Sequence, residues 1–189
     1  TQRMRKFLWL FVALVSVTIS NAQIEVGGVT LPKTVEFKGE TLQLNGAGVR
    51  EKFWIDLYAG GLYLQQKSSD ADQIMTADKP MAIKLHIVSK LITSKKMIDA
   101  VNEGFENSTK GNTAPLASEI KKFKGFFNDE IKKDDVFDLV YIPGTGVVSY
   151  KNGEEKGTIK GLAFKEALFG IWLSKKPAED DLKEAMLNL

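Results

Sequence analysis

The sequence contains no cysteine and only one histidine among its 189 residues. The absence of cysteine excludes disulfide bonds, thiol nucleophiles and thiolate metal sites, and a single histidine removes most histidine-ligated metal centres. A Ser-His-Asp triad would have to use His86, which lies in a strand-like stretch with no carboxylate or serine motif beside it. We interpret His86 as a structural or surface residue, and we expect neither a metal nor another cofactor.

Glycine-rich phosphate loops are missing as well. Gly144 and Gly146 lack the surrounding pattern of a nucleotide-binding loop, so we interpret this pair as part of a turn. The carboxylate pairs Asp134-Asp135 and Asp180-Asp181 lie in charged stretches typical of loops and helix starts. They are weak evidence for acid-base catalysis, and the residues alone therefore indicate no enzyme class.

No apolar run approaches the roughly 20 residues that a membrane-spanning helix requires. The most apolar stretch covers residues 7–15; it follows Arg5 and Lys6 and precedes the small residues Ser20-Asn21-Ala22. This order is typical of a secretory signal peptide. We predict a signal peptide over residues 1–22, in which residues 1–3 precede the start at Met4. The mature chain is then secreted without a transmembrane anchor, which in a bacterium places it in the periplasm.

The charge of the chain changes with that cleavage. Removing Arg3, Arg5 and Lys6 leaves 23 basic against 24 acidic residues, a formal net charge of −1. A near-neutral chain lacks the basic surface of a nucleic-acid-binding protein, so we predict no nucleic-acid partner. With 43% hydrophobic and 26% charged residues, residues 23–189 are expected to form one globular domain. The oligomeric state is left open.

The pattern of the mature chain predicts strands first, then helices in the middle and at the end. Residues 40–44 alternate as in a half-buried strand, and residues 49–64 are interpreted as one strand interrupted at Gly60-Gly61. Asn45 to Gly48 between them is expected to be a turn or a close backbone approach. Asn152-Gly153 is a strong hairpin signal. The sequence thus predicts an α+β fold with a large antiparallel sheet covered on one face by helices.

Two motifs carry a family resemblance. Leu44-Asn45-Gly46-Ala47-Gly48-Val49-Arg50 is followed by Leu57-Tyr58-Ala59-Gly60-Gly61-Leu62-Tyr63-Leu64. Together they resemble the first conserved block of the chalcone isomerase family, in which a Gly-Ala-Gly-x-Arg turn precedes a strand. Residues 92–105 and 162–189 are similar to that family's first sheet-covering helix and its closing helix pair. The resemblance implies the family's open-faced β-sandwich, with a ligand cleft between sheet and helices.

The resemblance also implies site residues. Arg50 matches the arginine that polarises the substrate in the plant enzymes. The family's catalytic threonine falls at Tyr58, with four fewer residues between it and the arginine. The tyrosine of the plant enzymes' water chain falls at Met97, and the asparagine further along that helix falls at Gly104. Three of four polar contacts are therefore changed, which argues against efficient chalcone cyclisation.

Arg50 and Tyr58 look more like the pair that holds a carboxylate in the fatty-acid-binding branch of the family, with Met97 and Gly104 beside the tail. This favours a secreted protein that binds a small hydrophobic carboxylate. Two alternatives remain: a chalcone isomerase-type intramolecular lyase using Arg50 as electrophilic stabiliser, and a non-catalytic interaction module of the cell envelope. Two simpler interpretations remain for individual residues. Arg50 is then a surface residue that forms an ion pair with Glu51 or Asp56, and Met97 is an ordinary core residue.

Overall fold

A computed structural model of the protein describes residues 22–189. The predicted signal peptide lies outside these residues, apart from Ala22. The strands are β1 (Gln23–Val26), β2 (Val29–Pro32), β3 (Thr34–Phe37), β4 (Glu40–Lys52), β5 (Ile55–Leu64), β6 (Met81–Ile87), β7 (Val136–Ile142), β8 (Gly146–Lys151) and β9 (Glu154–Ile159). The helices are α1 (Ala71–Thr76), α2 (Ser94–Ser108), α3 (Ala117–Gly125), α4 (Leu162–Leu173) and α5 (Asp180–Met186).

Strands β3 to β9 form one antiparallel sheet in which each strand pairs with its neighbours in the chain, and β1 and β2 form a separate hairpin. Helix α1 lies in the connection between β5 and β6, and α2 and α3 lie in the one between β6 and β7. Several of the other connections are short turns. Asn152, with a φ of 51°, and Gly153, with a φ of 79°, make the predicted turn between β8 and β9. The predicted α+β fold with an antiparallel sheet and a helical layer is confirmed.

One predicted strand is wrong. Residues 49–64 are two strands, because Phe53 and Trp54 form a two-residue turn that ends β4 and begins β5. The sequence pattern did not predict this hairpin, because both turn residues are aromatic and fit the strand-like composition on either side. Gly60 and Gly61 do not interrupt the second strand.

The sheet carries an apolar cluster on each face. Leu62 and Ile83 face the larger cluster, which includes the buried sides of α2, α3 and α4, whereas their neighbours Tyr63 and Ala82 face a smaller one. This division follows from the alternation of side chains along a strand. Helix α4 is buried nearly all round, because it packs against both α1 and α2 as well as the sheet.

Helix α5 packs closely on β4, and the glycines of the first motif make this possible. A Cβ on Gly46 would lie 2.0 Å from the carbonyl oxygen of Ala185, and one on Gly48 would lie 2.7 Å from the Cβ of Ala185. Asn45 supports the same contact by donating to the carbonyl of Met186 at 2.8 Å. The motif is therefore a close backbone approach inside a strand, and the turn expected there as the alternative is not found.

Among residues 22–189 no helix is long and apolar enough to cross a membrane.

Candidate functional site

The β4–β5 hairpin places Arg50 beside Tyr58. The two residues are direct cross-strand partners in the antiparallel register. Side chains of such partners lie on the same face of the sheet, about 5 Å apart at Cβ. The family resemblance indicated the pair, but not the hairpin that brings the two residues together.

Arg50 forms an ion pair that the sequence did not indicate. Its Nη1 atom lies 3.0 Å from Oε2 of Glu179, the residue just before α5, and also donates to the backbone carbonyl of Glu51. The same Glu179 oxygen accepts from the backbone N–H of Glu51 at 2.8 Å. The surface pairing with the Glu51 or Asp56 carboxylate is not formed. Glu179 reaches Arg50 because the glycines of β4 let α5 approach the strand.

The contacts of Arg50 with its neighbours use only part of its guanidinium group. Both of its contacts use Nη1, and within residues 22–189 neither Nε nor Nη2 forms a hydrogen bond. Its side chain is 20% exposed, at the edge of a cleft. Arg50 is also the only arginine beyond residue 5. An arginine fork with free donors is suited to bind a carboxylate.

Tyr58 is held in place by Trp172 of α4. The indole Nε1–H donates to the Tyr58 hydroxyl at 3.0 Å, which leaves the phenol's own proton available for another acceptor. Burial raises the pKa of Tyr58 to about 12, and the hydrogen bond from Trp172 and the charge of Arg50 offset this only in part. The phenol is therefore protonated at neutral pH. It can act as a hydrogen-bond donor but not as a general base.

A cleft of about 670 Å³ opens beside this pair, between the sheet and α2. Apolar side chains make up most of its walls: Ile55, Leu57, Leu85, Ile92, Val101 and Ile171. Such a volume and an apolar lining with few polar groups are typical of small-molecule sites. Arg50, Tyr58, Met97 and Gly104, the four residues predicted for the site, all line this cleft. Their roles in binding stay predictions.

Gly104 is closely packed on the side where a side chain would stand. A Cβ at this position would lie 2.8 to 3.0 Å from three side-chain carbons of Ile171. The space beside the glycine is thus taken by α4, and Gly104 serves the packing of α2 on α4. Met97 is buried in the larger apolar cluster and also faces the cleft, so its core and site interpretations are compatible.

Other polar features lie away from this cleft. His86 has its Nε2 atom 3.1 Å from Oδ1 of Asp134 and does not line the cleft. Residues 22–189 contain no group of three or more His, Cys, Asp or Glu side chains that could hold a metal ion. A second groove of about 950 Å³ is lined mainly by polar residues, among them Asp72, Glu106 and Lys110. It lacks the apolar walls of the first.

Comparisons with known proteins agree with this geometry. The family model described as chalcone isomerase-like matches residues 22–188. The chain is 23% identical to fatty-acid-binding protein 1 of Arabidopsis thaliana, over 85% of this chain and 67% of that protein. The crystal structure of a fatty-acid-binding protein of Arabidopsis thaliana superimposes with a TM-score of 0.67 at 20% identity, covering 85% of this chain and 92% of that one. The fold expected from the two motifs is thus confirmed, and the chain belongs to the chalcone isomerase-like family.

Proposed function

We propose that this protein binds a fatty acid or a similar hydrophobic carboxylate in the cleft, with the carboxylate at Arg50 and Tyr58. The observation that carries the proposal is the placement of an arginine with free donors and a protonated phenol at one wall of an apolar cleft. The relationship to fatty-acid-binding proteins in the same family supports it.

The chemistry of the pair fits a carboxylate. The Nε and Nη2 atoms of Arg50 supply charged donors, and the Tyr58 hydroxyl supplies a neutral one that Trp172 orients. A carboxylate in an apolar cleft needs such donors, because burying it without partners costs several kcal/mol. The hydrocarbon tail would then lie against the apolar walls, including Met97 and Ile92.

Glu179 is part of the proposal. It already neutralises Arg50, so a ligand carboxylate has to share the guanidinium with it or displace it. We expect Glu179 to weaken binding and to keep Arg50 oriented when the cleft is empty.

The test is titration with palmitate and its methyl ester, combined with non-denaturing mass spectrometry to detect lipid that copurifies. Wild type is expected to prefer palmitate over the uncharged ester. Arg50→Ala should lose that preference and bind palmitate roughly 10- to 100-fold more weakly, the size of a charged hydrogen bond. Arg50→Lys should fall between the two, because it keeps the charge but loses the fork.

Glu179→Gln is the opposing variant: palmitate affinity should rise by up to roughly tenfold, because the competing carboxylate is gone. Lys52→Ala is the matched control, since Lys52 lines the same cleft but lies nearer the hairpin turn. Because Arg50 is the only arginine beyond residue 5, an arginine-selective dicarbonyl reagent gives a second readout, and palmitate should slow its reaction. Equal affinity of wild type and Arg50→Ala for palmitate would overturn the proposal.

The proposal places this activity outside the cytoplasm, in the periplasm of a bacterium. Its support is the signal-peptide pattern of residues 1–22 alone. A mature protein whose first residue is Gln23 is the expected result of N-terminal sequencing.

A further inference from the structure

The turn between β4 and β5 is built from residues that do not favour it. Phe53 has a φ of 53° and Trp54 a φ of 61°, both in the left-handed region, and Lys52 pairs directly with Ile55. A two-residue hairpin turn with two positive φ angles is best made by Asn-Gly. Large aromatic residues are strained there. Local turn preference therefore does not account for these two residues at these two positions.

Both aromatic side chains point into solvent. Phe53 is 78% exposed and Trp54 is 91% exposed. In residues 22–189 six large hydrophobic side chains are exposed, and four of them lie at this end of the cleft: Phe53, Trp54, Ile55 and Leu91. Exposed apolar side chains gathered in one place mark a contact surface.

The size of this surface argues against a stable protein partner. The two aromatic side chains of the tip bury roughly 300 to 500 Å², whereas each partner in a specific protein interface buries about 800 Å². Tryptophan and phenylalanine at a protruding tip are instead suited to the boundary between lipid headgroups and acyl chains. Charges of both signs surround the mouth: Lys52 and Lys96 form no ion pair in the described part of the chain, and neither does Glu103, whereas Asp99 is paired with Lys95. The apolar tip, and not a net positive charge, therefore carries the argument for a bilayer.

The tip is continuous with the cleft. Phe53, Ile55 and Leu91 line its mouth, so a bilayer that contacts the tip also faces the opening. A hydrophobic ligand would then pass between bilayer and cleft without crossing water, an argument that rests on the proposed function. We propose that the Phe53-Trp54 turn is a membrane-docking tip that seats the mouth of the cleft on the surface of a lipid bilayer.

The experiment is flotation of residues 23–189 with phosphatidylcholine vesicles, with and without phosphatidylglycerol. The apolar run of residues 7–15 is omitted because it would bind vesicles by itself. The part tested contains the whole seven-stranded sheet, both apolar clusters and the cleft, and the family match begins at residue 22. It therefore has all that the fold described above requires. Wild type is expected to float with the vesicles.

The decisive variant carries Phe53→Asn and Trp54→Gly together. It removes the apolar tip while supplying the preferred turn residues, so it should resist urea at least as well as wild type and yet stay out of the vesicle fraction. A folding defect therefore cannot explain its loss of binding. Leu162→Ser is the matched control, because Leu162 is an exposed apolar residue at the start of α4, outside the cleft lining. It should float like wild type.

Fluorescence adds a local readout. Trp54 is exposed, whereas Trp172 is buried and hydrogen-bonded to Tyr58. Vesicles should shift the emission of Trp54 to shorter wavelength, and brominated lipids should quench it. Trp54→Phe should keep flotation and lose the shift.

Two outcomes would overturn the docking proposal: wild type that floats with neither vesicle, or the Asn-Gly variant floating as well as wild type. The proposed function is judged separately. Trp54→Ser should weaken flotation and leave the affinity for soluble palmitate unchanged, because Trp54 does not line the cleft. Flotation without palmitate binding would support docking and count only against the proposed function.

Discussion

Arg50 and Lys165 are both basic side chains withdrawn from solvent, but their surroundings differ. Arg50 lies at the edge of the cleft, shares one nitrogen between two acceptors and leaves its other donors free within residues 22–189. Lys165 lies on α4 with 0% exposure and donates to the carbonyls of Ile74, Met75 and Ala77 at 2.7, 2.8 and 2.8 Å.

Those three carbonyls lie at the C-terminal end of α1, where helix carbonyls lack partners from the helix itself. Three bonds use all three protons of the ammonium group. The rings of Tyr141 and Phe169 lie 5.5 and 5.4 Å from its nitrogen. Burial lowers the pKa of Lys165 to about 8, which leaves it charged at neutral pH.

Burial and a shifted pKa therefore do not by themselves identify a functional group. Lys165 is fully buried and its pKa is lowered, yet all three of its ammonium protons are donated to carbonyls at the end of α1. Arg50 has unused donors and a cleft beside them. We therefore expect Lys165 to contribute to stability, and Arg50 to the proposed binding of a carboxylate.

The largest effect is expected for Lys165→Met. This variant leaves three buried carbonyls without their donor, and the free energy of unfolding should fall by about 3 kcal/mol. Palmitate affinity should be unchanged, because Lys165 does not line the cleft. Urea unfolding and palmitate titration measure the two effects. Lys160→Met, at an exposed position just before the same helix, is the control and should change neither.

The pH dependence sharpens this prediction. Between pH 8 and 10.5 the unfolded chain keeps the proton of Lys165 while the folded chain releases it, so this group makes wild type more stable as pH rises through that window. Lys165→Met has no titrating group at this position, so it lacks this pH-dependent contribution to stability. The stability difference between the two proteins should therefore grow from pH 8 to pH 10. If Lys165→Met were as stable as wild type, or bound palmitate as weakly as Arg50→Ala, the result would contradict a role of Lys165 in stability alone.

A smaller effect is expected for Gly104→Ala at the wall of the cleft. The new methyl group would lie 2.8 to 3.0 Å from Ile171, and such overpacking should cost about 1 to 3 kcal/mol. In an Ile171→Ala background the cost should disappear, which a double-mutant cycle of urea unfolding measures. In Gly125→Ala, at the end of α3, the new methyl group would make only an ordinary contact, 3.9 Å from Nδ2 of Asn128, and the variant should be slightly more stable. An equal cost in both backgrounds would show that Ile171 is not the obstacle.

The fold could be predicted where its signals are local. Asn152-Gly153 makes its own turn, and Thr93 caps α2 by accepting a hydrogen bond from the backbone N–H of Lys96. The hairpin at Phe53-Trp54 could not be predicted in the same way, because its turn residues go against local preference. Its stability comes from the pairing of β4 and β5, which a scan for turn residues does not detect.

The candidate site shows the same limit at longer range. The predicted site residues were identified from a motif and its family resemblance. All four line one cleft: Arg50, Tyr58, Met97 and Gly104. Glu179 is 129 residues from Arg50 in the chain, so no local pattern links them. The same holds for the Trp172 indole that orients Tyr58. The glycines of β4 indicated a close backbone approach, but they did not indicate that α5 is the element that packs there.

The smallest effect is expected for Tyr58→Phe. Without the hydroxyl, Trp172 Nε1–H loses its acceptor and the ligand loses one neutral donor, each worth about 1 kcal/mol. Palmitate affinity should fall roughly fivefold, less than for Arg50→Ala. Tyr63→Phe is the matched control: its hydroxyl donates to Pro32 on the other face of the sheet, so it should affect stability alone.

The pH profile distinguishes a buried donor from an exposed one. Because burial raises the pKa of Tyr58 to about 12 from the ordinary value of 10.0, the phenol should still donate at pH 10, and wild-type palmitate affinity should be flat from pH 7 to pH 10. Stability should instead decline above pH 10, since the unfolded phenol ionises while the folded one keeps its proton. The opposite result would be a wild-type palmitate affinity that falls with a midpoint at pH 10, while the affinity of Tyr58→Phe does not fall. That result would show that the phenol is exposed to solvent, and it would remove Tyr58 from the proposed carboxylate site.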